Sequence, residues 1–181
     1  LYRLQHRGGV FAVSHIEAPN GFSMKEIYDI TTDSRGRQWL ATMDNGLVCI
    51  DHGRYSAIHY GRENKVRKIV LPDPTTLVAV TTEGLLTVDI PPGHGNRLHL
   101  HRREPIRASS LSNNACMDIA AVDGKWYVAT ESGGVNMTAD RITAPSLTFR
   151  HYDRETGLGS DVILSVTPFS STSGPCLLVV T

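Results

Sequence analysis

The chain has 181 residues, and its 18 Lys and Arg are balanced by 18 Asp and Glu. That balance argues against a nucleic-acid or membrane-surface protein, because both kinds of binding rest on basic excess. No apolar run approaches the roughly 20 residues that a membrane helix needs, and no signal peptide is visible.

In chain order, residues 1–4 and 9–16 read as two strands, the last two of a β-sheet whose first half is absent, and 17–24 connect onward. Residues 25–60 hold a fuller pattern. Residues 27–32 alternate in polarity, and Asp33-Ser34-Arg35-Gly36 makes a tight polar turn. Trp39-Leu40-Ala41-Thr42 forms a second strand, Asp44-Asn45-Gly46 a second turn, and 47–50 and 55–60 the third and fourth strands. Turns this short join antiparallel strands, since a parallel crossover needs a dozen or more residues.

The pattern recurs over 65–105 and 114–152, and its first half recurs over 161–181. A strand-closing Thr falls at 42, 81, 130 and 181, in steps of 39, 49 and 51, and a glycine follows at 46, 84 and 133/134. Trp39 and Trp126 are read as occupying one repeat position. Repeats of roughly 40–50 residues built from short strands indicate propeller blades, and no segment shows the 3.6-residue periodicity of a helix. Second strands such as Leu77-Val78-Ala79-Val80 are apolar on both faces, whereas outer strands such as 97–102 alternate with charge. With no helices to cover them, two-sided apolar strands must be covered by packing sheet on sheet. The expected fold is therefore all-β: a β-propeller segment of about four blades, each a four-stranded antiparallel meander. The chain opens in mid-pattern at Leu1 and closes in mid-strand at Thr181, so a piece of a longer protein is expected. The competing expectation is that the first two and last two strands pair and close a four-bladed ring.

Ile27, Ile30, Asp33, Gly36, Trp39, Thr42, Gly46 and Leu47 together resemble the two-component-regulator propeller repeat of the periplasmic sensor region of Bacteroidetes hybrid two-component systems. Ser110-Leu111-Ser112-Asn113-Asn114 with Ile119, Asp123, Gly124, Trp126, Thr130, Gly133 and Gly134 is a second match, and Tyr152 with Gly157-Leu158 resembles the family's approach to a new blade. The copy at 65–90 departs, with Leu77 at the Trp position and Pro72-Asp73-Pro74 at the turn; the last copy also lacks the Trp. The resemblance implies a segment of a larger, seven-bladed propeller that packs against the rest of that ring and against a second propeller. It further implies a homodimeric full-length histidine kinase anchored in the inner membrane, with a periplasmic domain that detects oligosaccharide fragments. The alternatives are a propeller used only for protein contacts and a propeller lyase or hydrolase.

Chain order places the loop after each second strand and the link between blades on one face. Asp44, Asn45, Glu83, Glu131, Asn113 and Asn114 are the ligand candidates there, with Arg62, Glu63, Asn64 and Asp161 beside them. Carboxylates and amides are groups that sugar hydroxyls favour, although loops are polar in any case. Trp39 and Trp126 are expected between blades rather than stacked on a sugar. Asp33 and Asp123 are expected to bond their own turn backbones. His94, His99 and His101 form the one metal-like cluster, but they lie among arginines on an outer strand, so no metal or cofactor is assigned. Cys49, Cys116 and Cys176 fall in different repeats and read as buried free thiols. No nucleophile elbow, phosphate loop or Cys-x-x-Cys is present, so no catalytic residue is assigned and a non-enzyme is expected.

Overall fold

A computed structural model describes residues 1–91 and 96–181. Among these residues every regular element is a β-strand. Three four-stranded antiparallel sheets lie between two hairpins. The first hairpin pairs β1 (Tyr2–Arg7) with β2 (Val10–His15). The first full blade runs β3 (Ile27–Thr32), β4 (Gln38–Thr42), β5 (Leu47–Asp51) and β6 (Arg54–Ile58). The second runs β7 (Val66–Asp73), β8 (Thr76–Thr81), β9 (Gly84–Asp89) and β10 (Arg97–His101). The third runs β11 (Cys116–Val122), β12 (Lys125–Thr130), β13 (Val135–Thr138) and β14 (Arg150–Tyr152). The second hairpin pairs β15 (Ser165–Ser171) with β16 (Gly174–Val180). Strands neighbour one another in chain order within each sheet, as in a meander.

The first strands β3, β7, β11 and β15 adjoin one another in succession, which makes them the inner strands of a propeller array. The array is open: β1–β2 and β15–β16 are separate two-stranded sheets and do not pair with each other. The competing four-bladed ring is therefore not formed. β8 is buried throughout, and β9 nearly so, while β10 is exposed at its start, following the expected gradient from inner apolar to outer polar strand. The outer strand of the third blade, β14, spans only three residues. Residues 139–149 form an irregular segment because Asp140 accepts both the backbone N–H and the hydroxyl of Thr148 at 2.6 Å, while Ile142, Leu147 and Phe149 fill the core beneath.

Each sheet has a forward face, toward the sheet that follows in the chain, and a backward face. Trp39, Ala41, Leu47 and Cys49 on the forward face of the first blade pack on Ile69, Leu77, Ala79, Leu86 and Val88 of the second. Val78, Val80 and Leu85 pack on Cys116, Ile119 and Val128 of the third. Ala129 and Val135 pack on Ile163, Val166, Leu177 and Val179 of the β15–β16 hairpin.

Strand register corrects two parts of the repeat alignment. Leu40 faces Ile30 and Val128 faces Ile119, so Trp39 corresponds to Tyr127 and to Val78, one residue beyond Trp126 and Leu77. Trp39 points forward and Trp126 backward, because a one-residue offset reverses a strand side chain. Asp123 is likewise not the counterpart of Asp33. It sits exposed at φ 49° ahead of Gly124 at φ 72°, in a two-residue hairpin turn whose backbone needs no side-chain acceptor.

The glycine after each second strand is set by geometry. Gly46, Gly84 and Gly134 have φ of 73°, 136° and 71°. A Cβ on them would lie 2.7 Å from the carbonyl oxygen of Ile58, 2.2 Å from that of His101 and 2.0 Å from that of Tyr152. The turn thus lies directly on the end of the fourth strand, and only glycine fits both the dihedral and the contact. Gly134→Ala should lower unfolding free energy by about 3 kcal/mol or more in urea melts, whereas Gly124→Ala, with nothing within 4 Å, should cost only the left-handed strain of about 1–2 kcal/mol.

Candidate functional site

The loop face is built on a repeated clamp. The buried hydroxyls of Thr42, Thr81 and Thr130 donate to the carbonyl oxygens of Gly46, Gly84 and Gly134 at 2.8, 2.7 and 2.9 Å. Thr42 and Thr81 also accept the N–H of Asn45 and Glu83 at 2.9 and 3.1 Å. Each clamped turn touches the link that enters its own blade. Asn45 Nδ2 donates to the Ser23 carbonyl at 2.6 Å, the Glu63 N–H donates to Glu83 Oε1 at 2.6 Å, and Asn113 Nδ2 donates to Ser132 Oγ at 2.8 Å. The second-strand turns and blade links therefore share one face, as expected.

Four of the six candidate side chains are consumed in holding that face together. Besides the Ser23 contact, Asn45 donates to Asp44 Oδ1 at 2.9 Å. Glu83 accepts Arg102 Nη2 at 2.6 Å. Burial pushes the Glu83 carboxyl up, but the N–H groups of Glu63 and Arg62 and the Arg102 guanidinium outweigh burial and hold it below its ordinary range. Asn113 Oδ1 accepts the Ala115 N–H at 2.8 Å, and Asn114 Oδ1 accepts the Arg103 N–H at 2.6 Å. Asn64 caps its own link, accepting the Tyr60 N–H at 2.8 Å with φ at 55°. Asp161 Oδ1 accepts the Arg154 N–H at 2.8 Å. Asp44 and Glu131 differ: both are exposed, and among the described residues the Glu131 side chain makes no hydrogen bond or ion pair.

The inner strands hold polar residues that sequence reasoning passed over. A β-bulge recurs at Ile27/Asp29, Val66/Lys68 and Cys116/Asp118, and it re-aims the residue after it. Asp29 Oδ2 accepts the Ile69 N–H of the next blade at 2.9 Å. Asp118 Oδ2 does the same for Val166 at 2.9 Å and accepts Ser165 Oγ at 2.6 Å, while its Oδ1 accepts the Lys68 ammonium. Asp118 thus joins three successive inner strands. Burial pushes its carboxyl up, yet the hydrogen bonds from Lys68, Ser165 and Val166 prevail and hold it below the ordinary range. The detectable signal was a polar residue directly before a first-strand aliphatic: Asp29-Ile30, Lys68-Ile69, Asp118-Ile119 and Ser165-Val166.

On the opposite face, Asp33 organises the first turn of its blade. Its Oδ1 accepts the N–H of Arg35 and Arg37 at 2.9 and 3.1 Å, and its Oδ2 accepts Arg37 Nε at 2.6 Å and Trp39 Nε1 at 3.0 Å. Trp39 is thereby packed between blades and satisfied at its N–H, not offered to a ligand. His101 is buried, its ring nitrogen 3.5 Å from Thr87 Oγ1; burial, with His99 and Arg107 nearby, pushes it down to about 4. It is neutral at pH 7 and lies beside Arg107, Leu147 and Phe149 of the segments that follow its sheet. His94 lies outside the described residues. Among the described residues no three His, Cys, Asp or Glu converge to hold a metal ion. Cys49 and Cys116 are buried and Cys176 half-buried, all as free thiols; burial raises Cys116 to about 12.

No protein-family model matches this sequence. No curated protein matches it either. Solved structures do. The extracellular domain of the hybrid two-component system BT3049 from B. thetaiotaomicron superposes with a TM-score of 0.66 over 92% of this chain at 19% identity. That of BT4673 from the same organism gives 0.58 over 85% at 18% identity. The computationally designed Ika4 protein gives 0.55 over 89% of this chain and 95% of its own length, at 13% identity. The chain spans about a fifth of the length of the two extracellular domains, 22% and 19%. At these identities the likeness establishes the fold, which is that of the propeller array described above.

Two changes test the polar contacts. Asp118→Ala should cost about 2 kcal/mol or more and speed amide exchange across β15–β16, because it removes the acceptor that ties that hairpin to the array. Asp33 should impose an acid limit. Its folded value lies below the ordinary 3.8 despite burial, because Trp39, Arg37 and two backbone N–H groups favour the carboxylate. Its contribution is then full well above pH 3.8 and lost as pH falls through the lowered folded value. Asp33→Asn should flatten the stability profile below about pH 4 and cost about 1–2 kcal/mol at pH 7.

Proposed function

We propose that this chain is part of the extracytoplasmic sensor region of a hybrid two-component system and that it responds to a carbohydrate. The observation that supports the reading best is the agreement of two lines. The Ile-Asp-Gly-Trp-Thr-Gly-Leu spacing of residues 27–47 resembles that family's repeat, and the fold matches extracellular domains of such systems over most of the chain. On this reading the domain lies in the periplasm of an inner-membrane-anchored protein and signals by a conformational change. Its ligand contacts the clamped loop face, where the exposed Glu131 presents a carboxylate that makes no hydrogen bond among the described residues and the exposed Asp44 accepts only Asn45 Nδ2.

A second reading, a propeller used for protein contacts, is favoured by one observation: Asn45, Glu83, Asn113 and Asn114 are taken up by the chain's own backbone and side chains. Titration calorimetry against a panel of oligosaccharides separates the two. A sensor should bind at least one member, and Asp44→Ala with Glu131→Ala should weaken that binding about tenfold, roughly 1.4 kcal/mol, without shifting the melting temperature. Absence of binding across the panel would favour the protein-contact reading.

A further inference from the structure

The link from β10 to β11 carries three arginines, Arg102, Arg103 and Arg107, against one carboxylate, Glu104. Its course is fixed by its own hydrogen bonds. The Arg107 N–H donates to the Glu104 carbonyl and the Ser110 N–H to the Arg107 carbonyl, both at 2.9 Å. Ser110 Oγ accepts the Glu104 N–H at 2.8 Å and donates back to the Glu104 carbonyl at 3.1 Å. The third blade holds the same link. The Phe149 N–H donates to the Ser109 carbonyl at 2.8 Å, and His151 Nε2 donates to the Ser110 carbonyl at 2.7 Å. Between the link and His151 lies a cleft of about 240 Å³, lined also by Arg103, Glu104, Arg107, Ser110 and Ser112.

We propose that this cleft binds an oxyanion, the carboxylate or sulfate group of a ligand. Its free groups are positively charged donors. Among the described residues the Arg103 side chain makes no hydrogen bond or ion pair, although its backbone N–H is held by Asn114 Oδ1 at 2.6 Å. Arg107 is anchored through Nη2, which donates to the Leu147 carbonyl at 2.6 Å. Its Nε and Nη1 have no hydrogen-bond partner among the described residues. Glu104 Oε1 lies 3.7 Å from Nη1, too far for a hydrogen bond, and the Glu104 side chain is exposed. Two nearby carboxylates are already engaged, Glu83 by Arg102 and Asp140 by Thr148. Guanidinium groups match the paired oxygens of a carboxylate or sulfate, and on a link whose backbone is already ordered little further freedom is lost on binding. Ser112 Oγ donates to the Gly133 carbonyl at 2.7 Å, so the cleft adjoins the turn that carries Glu131. The two places differ in chemistry. Glu131 offers an acceptor to a neutral hydroxyl and repels an anion, whereas the cleft offers donors. The oxyanion site therefore goes beyond the carbohydrate reading and does not depend on it.

Titration calorimetry on the full-length protein at fixed ionic strength tests the proposal with sodium sulfate, an oligosaccharide ending in a uronic acid, and the neutral counterpart of that oligosaccharide. Sulfate or the acidic saccharide should bind. Arg103→Gln should weaken that binding about tenfold without moving the melting temperature, because the side chain holds nothing else in place. Glu104→Gln should strengthen it about threefold, because it removes a carboxylate from the rim. Sulfate binding alone marks a site for the free anion, and binding of the acidic saccharide alone marks a site for a charged sugar residue; either supports the proposal when Arg103→Gln weakens it. Failure of both anions to bind the wild-type protein, or binding that Arg103→Gln leaves unchanged, would overturn it. Glu104→Gln gives the answer where Arg103→Gln fails to fold: unchanged or weaker anion binding in that variant also counts against the cleft. Binding of the neutral saccharide with neither anion bound would overturn this proposal and leave the carbohydrate reading standing. Sulfate binding that Arg103→Gln weakens, with no saccharide bound, would do the reverse.

Discussion

The joint between successive sheets is the contact on which the rest of this molecule depends. Strands such as Leu77-Val78-Ala79-Val80 are apolar on both faces, and no helix is present among the described residues to cover them. Their burial comes from Trp39, Ala41 and Cys49 on one side and from Cys116, Ile119 and Val128 on the other. A single blade would leave both faces wet, so no blade is stable without its neighbours.

Directional contacts then set the spacing that hydrophobic burial alone leaves loose. At the inner edge, Asp29 and Asp118 reach across to backbone N–H groups of the next strand, and Lys68 and Ser165 converge on Asp118. At the loop face, the Thr clamp pins each turn and the glycine lets it lie on the end of the fourth strand. Both devices recur because each joint poses the same geometric problem. They also explain why polar loop residues that look available from their chemistry are mostly occupied. A link that must cross from one blade to the next needs its backbone groups satisfied, and Asn45, Glu83, Asn113 and Asn114 do that.

Much of the architecture was legible because a strand's period of two and a turn's demand for glycine are local facts. The meander order, the sheet-on-sheet packing, and the closing Thr with its following glycine could all be read from residues close together in the chain. The correspondence of Trp39 with Trp126 was misread for a definite reason. Alignment by residue type ignores the one-residue offset that sends the two rings to opposite faces, and the offset is visible only in which residue pairs with which. The bulges before Ile30, Ile69 and Ile119 escaped notice in the same way, since a bulge is defined by a partner strand.

The candidate site was less legible than the fold. Residue type and loop position selected six polar side chains, and the sequence by itself determined that all six would lie on turns and links of an all-β repeat. Only the tertiary structure decided which of them remain free. Glu83 is spent on Glu63 and Arg102, residues 20 and 19 positions away in the chain, whereas Glu131, at an equivalent turn, is left to solvent. The physical reason is that hydrogen-bond satisfaction belongs to pairs of groups brought together by folding, whereas strand polarity and turn conformation belong to the residues themselves.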